Sequence, residues 1–216
     1  MKARTVLILG IVLSIIAIVV GLTLEPQMPD PMAIHWDDQG QPNGYGSRFM
    51  GIWFTPLLTM GLTLILLGVP YIDPLKKNIE LFRKQYYIFI LIFVIFCFVI
   101  QISSLLSNLD IQINFFIPLI PVIGGFIFYL GELLEKAKQN FFIGIRTPWT
   151  LADEQVWNET HRVAGRGLKI SGLIAVLSLA FPNSAIWIMV LPVVLVLVFS
   201  LGYSYFAYRK KNPLED

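Results

Sequence analysis

The chain carries two histidines, His35 and His161, and each sits in a segment dense with groups that could do chemistry. His35 is followed by Asp37 and Asp38, an imidazole beside two carboxylates, which is the donor set of a divalent-metal site or a general base. One histidine and two neighbouring acids lack a recognised ligand spacing, so a structural or interfacial role is expected instead. His161 lies in a run with Arg146, Thr147, Pro148, Trp149, Glu154, Trp157 and Arg162. An imidazole there could sense pH or take a proton. No nucleophile accompanies it, so a histidine packed between helices is the expected reading. Arg146 could hold a lipid phosphate or the carboxylate of Glu132 or Glu135. No His-Glu-x-x-His pattern and no phosphate-binding glycine loop occurs. Neither a metal, a cofactor nor catalysis is expected.

The elements that must position these residues are membrane helices. Hydrophobic residues make up 56% of the 216 positions and charged residues 14%, with a mean hydropathy of +0.71. A soluble domain carries about 25% charged residues. The apolar residues fall into six blocks, each near the ~20 residues that cross a bilayer: about 5–24, 49–71, 86–106, 115–134, 168–181 and 185–208. The last two are parted only by Pro182-Asn183-Ser184, which is turn chemistry. The fifth is short for a span unless its helix starts earlier, near Arg166. Pro56, Pro118, Pro121 and Pro192 are expected to kink their helices, and Gly124-Gly125 to let helices approach closely. No charged residue or histidine lies mid-span, which argues against ion-driven transport. Gln101, Ser103 and Ser104 supply only mild polarity. The uncleaved N-terminal stretch reads as an anchor rather than a signal peptide, and Cys97 as an inert mid-span residue.

Charge orients the chain. Of its 16 basic residues, 15 fall before the first block, after the last, or in the second and fourth connectors. Only Arg48 falls on the opposite side, with Glu25, Asp30, Asp37, Asp38 and Asp110. The positive-inside rule then predicts both termini in the cytoplasm. The net charge of +2 averages two unlike faces. No concentrated basic domain for nucleic acid exists.

Two connectors stand out. In the outer one, residues 25–48, Pro26, Pro29 and Pro31 stiffen the exit from the first span. Gly40, Gly44 and Gly46 permit tight turns, and Ile34-His35-Trp36 reads as a short extended piece at headgroup level. In the cytoplasmic one, residues 140–166, Gly144 allows close backbone approach, and Thr150 is expected to cap a helix with Asp153 in its first turn. From Leu151 to about Arg166 the pattern is amphipathic, with Val156, Trp157, Thr160, His161 and Ala164 on one face. This predicts an interfacial helix along the inner leaflet, with Trp149 and Trp157 at headgroup depth.

The outer pattern Pro-x-x-Pro-x-x-Met-x-x-His-Trp-x-x-x-Gly-x-Pro-x-x-Tyr, residues 26–45, resembles a domain of unknown function that often precedes the SdpI-like module. Residues 140–165, Asn-Phe-Phe-Ile-Gly-Ile-Arg-Thr-Pro-Trp-Thr-Leu followed by Glu154, Trp157, Thr160-His161-Arg162 and Gly165, resemble the signature of the SdpI family itself. That family includes the immunity protein against the SDP killing-factor peptide of sporulating bacilli. The resemblance implies an all-α membrane protein of six transmembrane helices in three hairpins. Residues 1–72 form a two-span hairpin and 73–216 the SdpI-like four-span module. It implies protection from a membrane-active peptide toxin, and capture of a cytoplasmic ArsR-type repressor at the membrane. Arg146, Thr147, Pro148, Trp149, Glu154, Trp157, His161 and Arg162 would then serve partner binding or signalling. Pro29, His35, Trp36, Gly40 and Tyr45 would face the toxin. Alternatives are a lipid or small-molecule transporter and a membrane enzyme built on the histidines.

Overall fold

A computed structural model describes residues 2–109, 111 and 114–213; Asp110, counted above among the outer acids, lies outside them. The protein is mostly helical. The helices are α1 (Ala3–Leu24), α2 (Arg48–Ile72), α3 (Lys76–Leu81), α4 (Arg83–Ser107), α5 (Leu119–Lys136), α6 (Pro148–Ala152), α7 (Glu154–Leu177) and α8 (Ala185–Lys211). A small antiparallel hairpin, β1 (Met32–Trp36) and β2 (Pro42–Gly46), joins α1 to α2. Among the described residues, five helices are long and apolar enough to cross a membrane: α1, α2, α4, α7 and α8. α5 has 18 residues, about 27 Å of helix, and its last five include Glu132, Glu135 and Lys136.

The helices pack in two groups of three, α1–α2–α4 and α5–α7–α8, joined where α4 lies against α5. Lipid is as apolar as leucine, so helices in a bilayer associate through close packing and polar contacts. Both devices are present. On α1, the buried residues are mostly small: Gly10, Ser14, Ala17 and Gly21, with Val6. A Cβ on Gly21 would fall 2.8 Å from Ile52. α5 and α7 touch backbone to backbone at two levels seven residues apart. A Cβ on Gly124 would lie 2.8 Å from the Gly172 carbonyl, and Gly131 meets the Gly165 carbonyl still more closely. Gly124 therefore permits the close approach expected of it; Gly125 faces open space.

α2 contains two prolines, Pro56 and Pro70, and each removes the N–H that would bond the carbonyl four residues earlier. α4 places a donor at each level, a full one for the carbonyl freed by Pro70 and a weak one for that freed by Pro56. The Gln101 amide donates to the Gly51 carbonyl at 2.9 Å and more weakly to the Ile52 carbonyl, 3.4 Å away. The Tyr86 hydroxyl donates to the Leu66 carbonyl at 2.7 Å. Pro118 and Pro121 stand at the start of α5, where a proline costs nothing, rather than inside a helix.

The separate interfacial helix expected over residues 151–166 does not form. α7 is one 24-residue helix from Glu154 to Leu177, taking in both that stretch and the fifth apolar block. Nothing between them breaks a helix: Gly165 and Gly172 are there for the contact with α5. The cap is also reassigned. Thr147, not Thr150, caps the short α6 in a reciprocal capping box with Thr150. Asp153 caps α7, accepting from the amides of Gln155 (2.8 Å) and Val156 (3.1 Å). Pro182-Asn183-Ser184 makes the expected tight turn as a single turn of 3-10 helix, preceded by another at Ser178–Ala180.

Candidate functional site

Between α5 and α7 the chain is held by side chains reaching backbone, which lets an irregular segment be buried without leaving polar groups unpaired. Asn140 is its nucleus and is fully buried. Its Oδ1 accepts from the amides of Phe142 (2.9 Å) and Ile143 (2.6 Å), and its Nδ2 donates to the carbonyls of Lys138 and Ile143. Gln139 donates to the carbonyls of Thr150 and Leu151, both at 2.9 Å. Asp73, buried at the end of α2, accepts from the Phe141 amide at 2.9 Å, and Asn78 donates to the Gln139 carbonyl at 2.8 Å. Thr147 donates to Ser204 of α8 at 3.1 Å, and Trp149 packs edge-on against Tyr205. The segment thus clasps α2, α3, α7 and α8 together.

His161 and Trp157 form the floor of this clasp. Both are buried, one turn apart on α7, with rings stacked at 4.0 Å. His161 Nε2 accepts from the Ile145 amide at 2.9 Å, so Nδ1 carries the proton and donates to the Trp157 carbonyl at 2.8 Å. These two bonds specify one neutral tautomer; a charged ring would set a donor against the Ile145 N–H. Gly144 has φ +122° and lies directly on the His161 ring, with no room for a side chain. Trp157 Nε1 donates to the Ala137 carbonyl at 2.9 Å. Trp157 is therefore an internal residue rather than an anchor at headgroup depth, while Trp149 is half-buried.

The signature residues divide by exposure. Thr147, Trp157 and His161 are buried in the clasp; Arg146, Pro148, Glu154 and Arg162 are exposed. Arg146 does not pair with Glu132 or Glu135. Its guanidinium donates to the Phe141 carbonyl at 2.7 Å. Both carboxylates are taken by Lys169 of α7, at 2.6 and 2.9 Å. Lys169 wins because the glycine contact of α5 with α7 brings it alongside the last turn of α5.

The outer hairpin is docked in a comparable way. Asn108, just past α4, imitates a strand partner: Oδ1 accepts from the Ala33 amide (2.8 Å) and Nδ2 donates to the Ala33 carbonyl (3.0 Å). Trp36 donates to Ser107 at 2.9 Å and stacks flat on Phe115 at 4.0 Å. Gly40 turns the hairpin at φ +77° and is pressed against Asn114, which donates to the Gln39 carbonyl. Asp37 accepts from the amides of Gln39 and Gln41, and His35 bonds to Asn43. No cluster of three metal-ligating side chains exists among the described residues. Of the five residues expected to face outward, Pro29, His35 and Tyr45 are exposed, whereas Trp36 and Gly40 hold the hairpin down. The sequence carried a signal for the extended Ile34–Trp36 piece. It carried none for β2, or for the roles of Asn108, Asn140, Asp73 and Lys169, all polar residues whose partners are remote in the chain.

Comparison with known proteins bears on both regions. Residues 136–204 match the SdpI/YfhL protein family, and residues 12–60 match a domain of unknown function, DUF1648. The chain is 30% identical over 206 residues to the immunity protein SdpI of Bacillus subtilis (strain 168), covering 95% of this chain and 97% of that protein. The chain belongs to the SdpI family. With its apolar helices it is a multi-pass membrane protein. The SdpI/YfhL match takes in the clasp, α6, α7 and most of α8; the other takes in the outer hairpin and the first half of α2. No solved structure matches the chain.

Proposed function

We propose that this chain is an immunity protein that shields its host membrane from a membrane-active peptide toxin. The observation that carries this reading is the near full-length similarity to the immunity protein SdpI. The arrangement of the hairpin and the clasp is compatible with it. The fold is six spans, with α5 as the fourth and both termini in the cytoplasm. α5 is long enough for ~27 Å, and its charges gather at the end where Lys136, Lys138 and Arg146 cluster. The chain works as an N-terminal pair of spans, residues 1–72, and a four-span module, residues 73–216. The toxin meets the outer hairpin at Pro29, His35 and Tyr45, with Trp36 and Gly40 fixing its shape. The clasp is a cytoplasmic scaffold, and Arg146, Pro148, Glu154 and Arg162 are the face offered to an ArsR-type repressor.

The test is expression in a toxin-sensitive host. Survival above the empty-vector control is expected; equal killing with and without the protein overturns immunity. Capture of the repressor in membranes is expected to fall with Arg146→Ala and Arg162→Ala. Arg162 is exposed and takes no part in the clasp, whereas Arg146 also gives up its bond to the Phe141 carbonyl, so a loss in Arg162→Ala is the one that reports docking. Unchanged capture in both removes the docking role but not the protective one.

A further inference from the structure

Deep in the α1–α2–α4 group, polar atoms converge where the surroundings are otherwise apolar. Ser14 of α1 and Gln101 of α4 are both more than nine-tenths buried, and Ser14 Oγ and Gln101 Oε1 have no hydrogen-bond partner among the described residues. Both residues line the same cavity, which is also walled by Thr59 and Pro56 of α2 and by Cys97. Its volume is ≈ 10 Å³, about the smallest space that admits one water molecule. An apolar cavity of this kind stays dry; one with several polar atoms facing it does not.

We propose that this cavity is a binding site for a single structural water, held by Ser14, Thr59 and Gln101. The valences fit. Gln101 Nε2 is committed to the Gly51 carbonyl, so Oε1 is left to accept from the water. Thr59 donates its proton to the Thr55 carbonyl at 2.7 Å, which leaves its oxygen lone pairs to accept from the water. Ser14 Oγ–H then donates to the water oxygen. Three partners is the usual number for a buried water. The water gives Gln101 two anchored ends, one on the carbonyls of the proline-interrupted α2 and one on α1 through Ser14. It thereby ties three helices at the level of Pro56.

The site is testable by X-ray radiolysis of the full chain in nanodiscs, in which bound water forms hydroxyl radical in place. Oxidation is then mapped by mass spectrometry. After correction for the intrinsic reactivity of each side chain type, Cys97 and Phe98, which line the cavity, are expected to be oxidised several-fold above Ile90, a buried α4 residue outside it. In Ser14→Ala/Gln101→Leu that excess is expected to vanish while labelling of exposed Tyr45 is unchanged. Ser14→Ala alone serves the same purpose if the double variant fails to fold. A bulky water-soluble thiol reagent is expected to leave Cys97 unmodified. Three outcomes overturn the proposal: no excess at Cys97 and Phe98, an excess that persists in the variants, or ready modification by the bulky reagent, which would mean an open crevice.

Discussion

At His161 a ring that could have been a base is bound at both nitrogens by backbone, Nε2 taking the Ile145 amide and Nδ1 giving to the Trp157 carbonyl. Replacing it with Phe keeps the ring and its stacking on Trp157 but strands a buried N–H. The expected cost is about 1–3 kcal/mol, seen as a lower melting temperature in detergent; an unchanged melt would mean that the imidazole bonds contribute little. Asp153 has a pH signature of its own. Its carboxyl is held below the usual carboxylate range, first by the hydrogen bond from Lys211, then by the amide donors of α7. A depressed carboxyl contributes stability that is complete above its unfolded pKa and is lost as pH falls through the folded value. Wild type is therefore expected to melt above Asp153→Asn at neutral pH. The two should converge as pH drops below the ordinary carboxylate range. At this scale the sequence identified the buried face of Trp157, Thr160, His161 and Ala164 by helical spacing alone. It misplaced Trp157 at the headgroups because periodicity says which residues share a face, but not whether lipid or protein covers it.

Among the elements, the α5–α7 pair depends on having no side chain where its backbones touch. Gly131→Ala would drive a methyl into the Gly165 carbonyl. Overpacking of this kind costs about 1–3 kcal/mol, and it would also pull Lys169 from Glu132 and Glu135. Gly125→Ala, one residue past a contact but facing open space, is expected to be neutral or slightly stabilising. Thermal unfolding of the two variants in the same detergent separates them; equal melts would show that the close approach is dispensable. α2 and α4 illustrate the complementary device. Tyr86→Phe leaves the Leu66 carbonyl, freed by Pro70, without its donor, and about 1 kcal/mol of stability should go with it. The prolines and glycines were legible in the sequence. Which glycine of Gly124-Gly125 meets a neighbour, and which side chain satisfies each freed carbonyl, depends on the rotation of the partner helix and was not.

For the whole molecule, the proposed six-span arrangement predicts that exposed positions within residues 76–84, 136–166 and both termini are reached by a membrane-impermeant label only from the cytoplasmic side, and exposed positions within residues 29–46 only from outside. Single-cysteine labelling in a Cys97→Ala background checks this. A clasp reached from outside would invert the proposed division between toxin-facing hairpin and inward face. The sequence by itself determined the class, the apolar blocks and the two connectors rich in chemistry. These follow from composition and local periodicity, and from the cost of burying charge in lipid. Only the tertiary structure decided that α7 runs unbroken through the expected interfacial helix, that His161 and Trp157 are the floor of a clasp, and that Lys169 displaces Arg146 from the acids of α5. Each of those outcomes turns on partners far apart in the chain, brought together by helix packing whose register a single sequence does not carry.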